Sequence, residues 1–125
     1  MILSGELEIN HIGKYSKVLR QYDCDYFDGG WETSAKGKVV DFNLMTSKPS
    51  KGDLDHQVFP ENTELILALP KNKTLIGLYL ISGKFLVKSD SRILNSQDLI
   101  IIQNNKESYT LQVLEKSEVI QIYVS

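Results

Sequence analysis

The 125 residues carry 14 Lys and Arg against 16 Asp and Glu, a formal charge of -2 with the basic residues scattered, so no basic stripe is present for nucleic acid. Cys24 is the only cysteine, which rules out an intrachain disulfide and favours a reducing, cytoplasmic setting. The longest apolar stretches, such as 65–69 and 99–102, fall far short of the roughly 20 residues of a membrane-spanning helix, and the acidic first ten residues do not read as a secretory leader.

Most apolar segments are short, rich in Ile, Val, Leu, Tyr and Phe, and separated by turn residues, which predicts strands and no long helix. In chain order the predicted strands are 2–9, 38–45, 64–69, 75–82, 84–88, 99–103, 109–114 and 118–124. A turn or bulge is expected at Phe27-Asp28-Gly29-Gly30-Trp31, a loop over 47–53 with Pro49 and Gly52, and a strand break at Leu69-Pro70-Lys71-Asn72-Lys73. This many short strands in one chain predict an all-β sandwich or barrel.

An internal repeat refines the expectation. Leu3-Ser4-Gly5 recurs as Ile81-Ser82-Gly83, an offset of 78. Val18-Leu19 with Asp23 recurs as Ile93-Leu94 with Asp98, an offset of 75 that makes the intervening hairpin three residues shorter in the second copy. Residues 39–44 lie over 119–124 at an offset of 80, which matches Asp41 with Gln121 and Asn43 with Tyr123. Three blocks in the same order imply a duplication.

Each copy reads as apolar strand, Gly, apolar strand, hairpin, Asp, apolar strand, which resembles the central segment of a cupin. The segment Val40-Asp41-Phe42-Asn43-Leu44-Met45-Thr46 is similar to the Asp-Phe-Asn-(Leu/Ile/Val)-Met motif of the HutD/Ves family. Phe27-Asp28-Gly29-Gly30 and Leu3-Ser4-Gly5-Glu6-Leu7 precede it in that family's order. The resemblance implies a cupin-type jelly-roll β-sandwich or barrel, with 1–46 a partial repeat and 47–125 a complete one, packed as one structural unit. It departs from the family in two places. The N-terminal Trp-Arg-Asn-Gly-Gly-type region is absent, since Met1 lies only four residues before Gly5, and Ser47 stands where a basic residue often follows Met-Thr.

Metal-dependent cupins gather several imidazoles and a carboxylate, whereas this chain has two histidines and no His-x-His pair, so no metal or other cofactor is expected. His11, in the hairpin after the first strand, and His56, in Leu54-Asp55-His56-Gln57-Val58, are each expected to be solvated or hydrogen-bonded, with His56 the better candidate for function. Cys24 sits between Asp23 and Asp25, neighbours that disfavour a thiolate nucleophile. No Gly-x-Ser-x-Gly elbow or Gly-rich phosphate loop is present.

Strand alternation puts Val40, Phe42 and Leu44 on a core face and Asp41, Asn43 and Met45 on the other. Asp41 and Asn43 are therefore the first candidates to bind a small polar metabolite, with Trp31 and Tyr26 as an aromatic wall and His56 in reserve; an ordinary solvated sheet face is the competing explanation. The family resemblance implies a non-enzymatic binding or regulatory role tied to histidine utilisation. A metal-independent, isomerase-like cupin enzyme and a remnant without a working pocket are the alternatives. Strands lacking neighbours further predict a homodimer.

Overall fold

The computed structural model describes residues 1–104 and 106–125. They form eleven strands, and the chain divides into two compact units, Met1–Leu44 and Met45–Ser125.

The first unit holds β1 (Ile2–Gly5), β2 (Leu7–His11), β3 (Tyr15–Leu19), β4 (Thr33–Lys36) and β5 (Val39–Asp41). β1 pairs with β5, and β2 lies between β3 and β4, every pairing antiparallel. Ile2, Ile9 and Leu19 make its buried apolar core, with Leu7 and Val39 packed against them.

The second unit holds β6 (Gly52–Phe59), β7 (Glu64–Ala68), β8 (Leu75–Val87), β9 (Arg92–Asn95), β10 (Leu99–Ile102) and β11 (Ser108–Val124). Its spine is β8 against β11. β10 and β9 pair with β8, while β7 and then β6 pair with the far edge of β11. The core between them includes Leu78, Leu80, Phe85, Val87, Ile102, Leu111, Val113 and Val119, all at most 1% exposed.

The predicted strands 75–82 and 84–88 are one strand here, as are 109–114 and 118–124. β8 runs through Gly83 and β11 through a run of bulges between Val113 and Val119. Gly83 has φ +106, and a β-carbon there would lie 2.1 Å from the hydroxyl oxygen of the fully buried Ser117, so only glycine lets the two strands meet. Four strands lack a matching expectation. β3, β4 and β9 carry mostly exposed side chains, and β6 is an outer strand with Asp53, Asp55 and Val58 in solvent. Backbone pairing to a better-buried neighbour holds them in place of an apolar period.

The duplication is visible bond for bond. Ile2 pairs with Asp41 and Ser4 with Val40, skipping Leu3; Leu80 pairs with Val119 and Ser82 with Glu118, skipping Ile81. Leu7 faces Leu19 as Phe85 faces Leu94. The third repeat block therefore runs at an offset of 78 and not 80: Asp41 corresponds to Val119, and Asn43 to Gln121. The face assignment changes at Val40 alone, since Phe42 and Leu44 are half-buried and Asp41, Asn43 and Met45 exposed as expected. Val39 packs on the core while Val40 is 58% exposed, because the bulge at Leu3 sets the register of β5 from Val39, and β5 ends after three residues.

Candidate functional site

Between the equivalent pairs Ile9–Lys17 and Val87–Arg92, the hairpin of the first unit is three residues longer than that of the second. The extension carries β2 on to His11 and begins β3 at Tyr15, and these two residues pair. Thr33 opens β4 on the other side of His11. Antiparallel pairing puts directly opposed side chains on one face, so His11, Tyr15 and Thr33 project together, with Ile9 and Lys17 next along. The segment after β3 brings Asp25 onto the same group.

His11 is fully buried. Its Nε2 lies 2.6 Å from Asp25 Oδ2 and its Nδ1 2.7 Å from the Thr33 hydroxyl oxygen. The Asp25 side chain is 4% exposed, and its other oxygen accepts the Tyr15 hydroxyl at 2.8 Å and meets Lys17 Nζ at 2.7 Å. Burial alone would raise the Asp25 carboxyl, but hydrogen bonds from His11, Lys17 and Tyr15, with the Lys17 charge, outweigh it and hold Asp25 below the usual carboxylate range. Tyr15 moves the opposite way. Desolvation, the hydrogen bond to Asp25 and the Asp25 charge all raise its phenol.

An ionised carboxylate only accepts, so His11 Nε2 carries a proton. In the neutral ring Nδ1 accepts the Thr33 hydroxyl proton. In the charged ring Nδ1 donates to that oxygen, which leaves the hydroxyl hydrogen for the Trp31 carbonyl 3.4 Å away.

Aromatic rings pack round the imidazole. Phe27 lies 4.5 Å from it centroid to centroid, Tyr15 4.8 Å and edge-on, and Trp31 5.4 Å and edge-on. Lys14 Nζ sits 5.0 Å over the Trp31 ring and Lys17 Nζ 5.3 Å over that of Tyr15. The Phe27–Trp31 turn that carries two of these rings is closed by the Trp31 amide on the Asp28 carbonyl and the Gly30 amide on the Asp28 carboxylate.

Trp31 and Tyr26 thus fall at this cluster, Tyr26 through its carbonyl 3.5 Å from the Tyr15 hydroxyl. Asp41 lies opposite Ile2 at the end of β5 and Asn43 just beyond it, both exposed. His56 lies in the second unit, on β6 opposite Ile120, with Nε2 3.6 Å from Glu118 Oε2. His11, Asp25, Tyr15, Lys17 and Thr33 were not among the expected site residues. The one sign of them in the sequence is the extra length of the first hairpin, which places an imidazole where the second copy has none. Among the described residues no group of three or more His, Cys, Asp or Glu is placed to hold a metal ion, and no helix is long and apolar enough to cross a membrane.

The family model named HutD matches residues 1–121. The chain belongs to the HutD family. No curated protein matches it. Among solved structures, that entitled "Crystal Structure of YhhW from Escherichia coli" superposes with a TM-score of 0.59 at 8% identity, covering 98% of this chain and 68% of that one. That likeness bears on fold alone, and with the antiparallel sheets above it gives this HutD chain an all-β, cupin-type fold.

Proposed function

We propose that this HutD chain is a non-enzymatic binding or regulatory protein that takes a small, planar, polar metabolite of the kind formed in histidine breakdown. The supporting observation is that both ring nitrogens of the buried His11 are bonded within the protein, to Asp25 and Thr33. An imidazole so committed is a support for the surrounding surface and has no nitrogen turned to a substrate. That surface offers what a planar anion needs: Tyr26 and Phe27, 56% and 47% exposed, Trp31 against the same imidazole as Phe27, and the Lys14 cation over the Trp31 ring.

A thermal-shift series with urocanate, formiminoglutamate and histidine tests this, because a ligand that binds only the native state raises its melting point. The expected result is a concentration-dependent rise that is lost in Trp31→Ala. A flat series with all three compounds would sink the reading.

The chain from the Thr33 hydroxyl through His11 to Asp25 is the one observation that favours a metal-independent enzyme instead. Turnover of any of these compounds, abolished in His11→Gln, would establish that alternative.

We also propose a homodimer. In the second unit β6 and β7 cover the far edge of β11, whereas the equivalent edge of β4 and β5 has no paired strand among those described. Light scattering is expected to give twice the chain mass, and a monomer at high concentration would refute it.

A further inference from the structure

The sheet that holds His11 on one face carries a different chemistry on the other. Glu8 pairs with both Val18 and Lys36, and Asn10 with both Ser16 and Ser34, so these six side chains share the face opposite His11. They line a hollow of about 520 Å³, within the range of small-molecule sites, about 300–1,000 Å³.

Three features of the hollow bear on what it could take. Val18, 38% exposed, gives it an apolar floor. The Ser16 hydroxyl donates to Asn10 Oδ1 at 2.7 Å, which fixes the amide and leaves its NH₂ group free to donate to a ligand oxygen. Glu8 and Lys36 stand directly opposite each other on adjacent strands, yet no ion pair within 4.0 Å joins them. Opposed charges that do not close on one another match a guest that brings one of each sign. The second unit has Leu86 paired with Gln112 at the corresponding place, and Ile93 in place of Val18, so the opposed charges belong to the first unit alone.

We infer that this face binds a free α-amino acid with a polar side chain, Lys36 taking the carboxylate, Glu8 the ammonium, and Asn10 with Ser34 the side-chain oxygen. The site lies on the other face of the sheet from the aromatic cluster and does not depend on any ligand binding there.

Titration of the ¹⁵N-labelled chain with L-glutamine, which has no planar ring to stack, tests it. The expected result is saturable shifts at the amides of Glu8, Asn10, Ser34 and Lys36 with those of Phe27 and Trp31 unmoved. N-acetyl-L-glutamine amide, which lacks both charges, should give none. Lys36→Glu and Glu8→Gln, both surface changes, should each weaken binding about tenfold or more with the melting point kept. The inference is overturned if no saturable shift develops by about 50 mM, if the shifts fall elsewhere, or if the uncharged amide or either variant binds as well.

Discussion

Asp23 and Asp98, 75 residues apart, close the same turn with the same bonds. Asp23 accepts the Arg20 amide at 2.8 Å on Oδ2 and donates its own amide to the Arg20 carbonyl; Asp98 does both with Asn95, at 2.7 and 3.0 Å. The residue before each has a left-handed backbone, Tyr22 at φ 67 and Gln97 at φ 74, and each turn bonds back to the strand it meets, Tyr22 to Ile2 and Gln97 to Leu80. Asp23→Ala and Asp98→Ala should therefore cost alike, about 0.5–1.5 kcal/mol each, the range of one such hydrogen bond. Urea denaturation of the two variants measures it. A several-fold difference between them would mean that the turns are alike in geometry but not in energy.

Glycine separates close approach from backbone strain. Gly83 and Gly13 both have positive φ, but an added methyl at Gly83 meets Ser117 at 2.1–2.7 Å, whereas at Gly13 it meets nothing within 4 Å. Gly13→Ala should cost about 1 kcal/mol, the left-handed penalty alone. Gly83→Ala must also part β8 from β11 and is expected to exceed about 3 kcal/mol. Melting curves that give equal losses would show that β11 yields at Ser117.

The duplication and the strand-rich fold were legible because both rest on apolar residues and turn glycines, which the sequence displays directly. Gly5 and Gly83 are the matching glycines of the first repeat block, and both have left-handed backbones. The site was not legible for the converse reason. His11, Asp25 and Thr33 are far apart in sequence and meet only because β2 pairs with β3 on one side and β4 on the other. Neither outer strand has an apolar period that would announce it. His56 stands out over His11 in the sequence on the same ground, since burial of His11 depends on the Phe27 and Trp31 rings arriving from a loop. Trp31 and Tyr26 stand out in the sequence as aromatic, but nothing local pairs them with an imidazole.

His11 and Asp25 should be unequal partners under mutation. Removing the carboxylate leaves a fully buried imidazole without its acceptor and frees Lys17, so Asp25→Ala should lose about 1–3 kcal/mol, the cost of leaving a buried donor unsatisfied. Asp25→Asn keeps an acceptor oxygen and should lose less. A chemical denaturation series across wild type, Asn and Ala that ranks in that order supports the network. Equal losses for Asn and Ala would assign the stability to the charge alone.

The same carboxylate sets a pH dependence whose sign follows from its direction. Asp25 is held below its ordinary value of 3.8 in the folded chain, so the folded state gives up that proton more readily than the unfolded one. Its contribution is fully present above about pH 4 and drains away as the pH falls through the lower, folded value. Tyr15 acts at the other end. Its phenol is raised above 10.0, so the stability it contributes is complete below that pH and is lost as the pH rises through the folded value. Between these limits neither group changes its protonation, and their combined contribution should be flat. Melting temperatures followed from pH 2 to 6 in wild type and Asp25→Asn should diverge at the upper end and converge at the acid end, because protonating Asp25 makes the wild type resemble its amide. Parallel curves over that range would mean that ionisation of Asp25 adds nothing to the stability of the folded state.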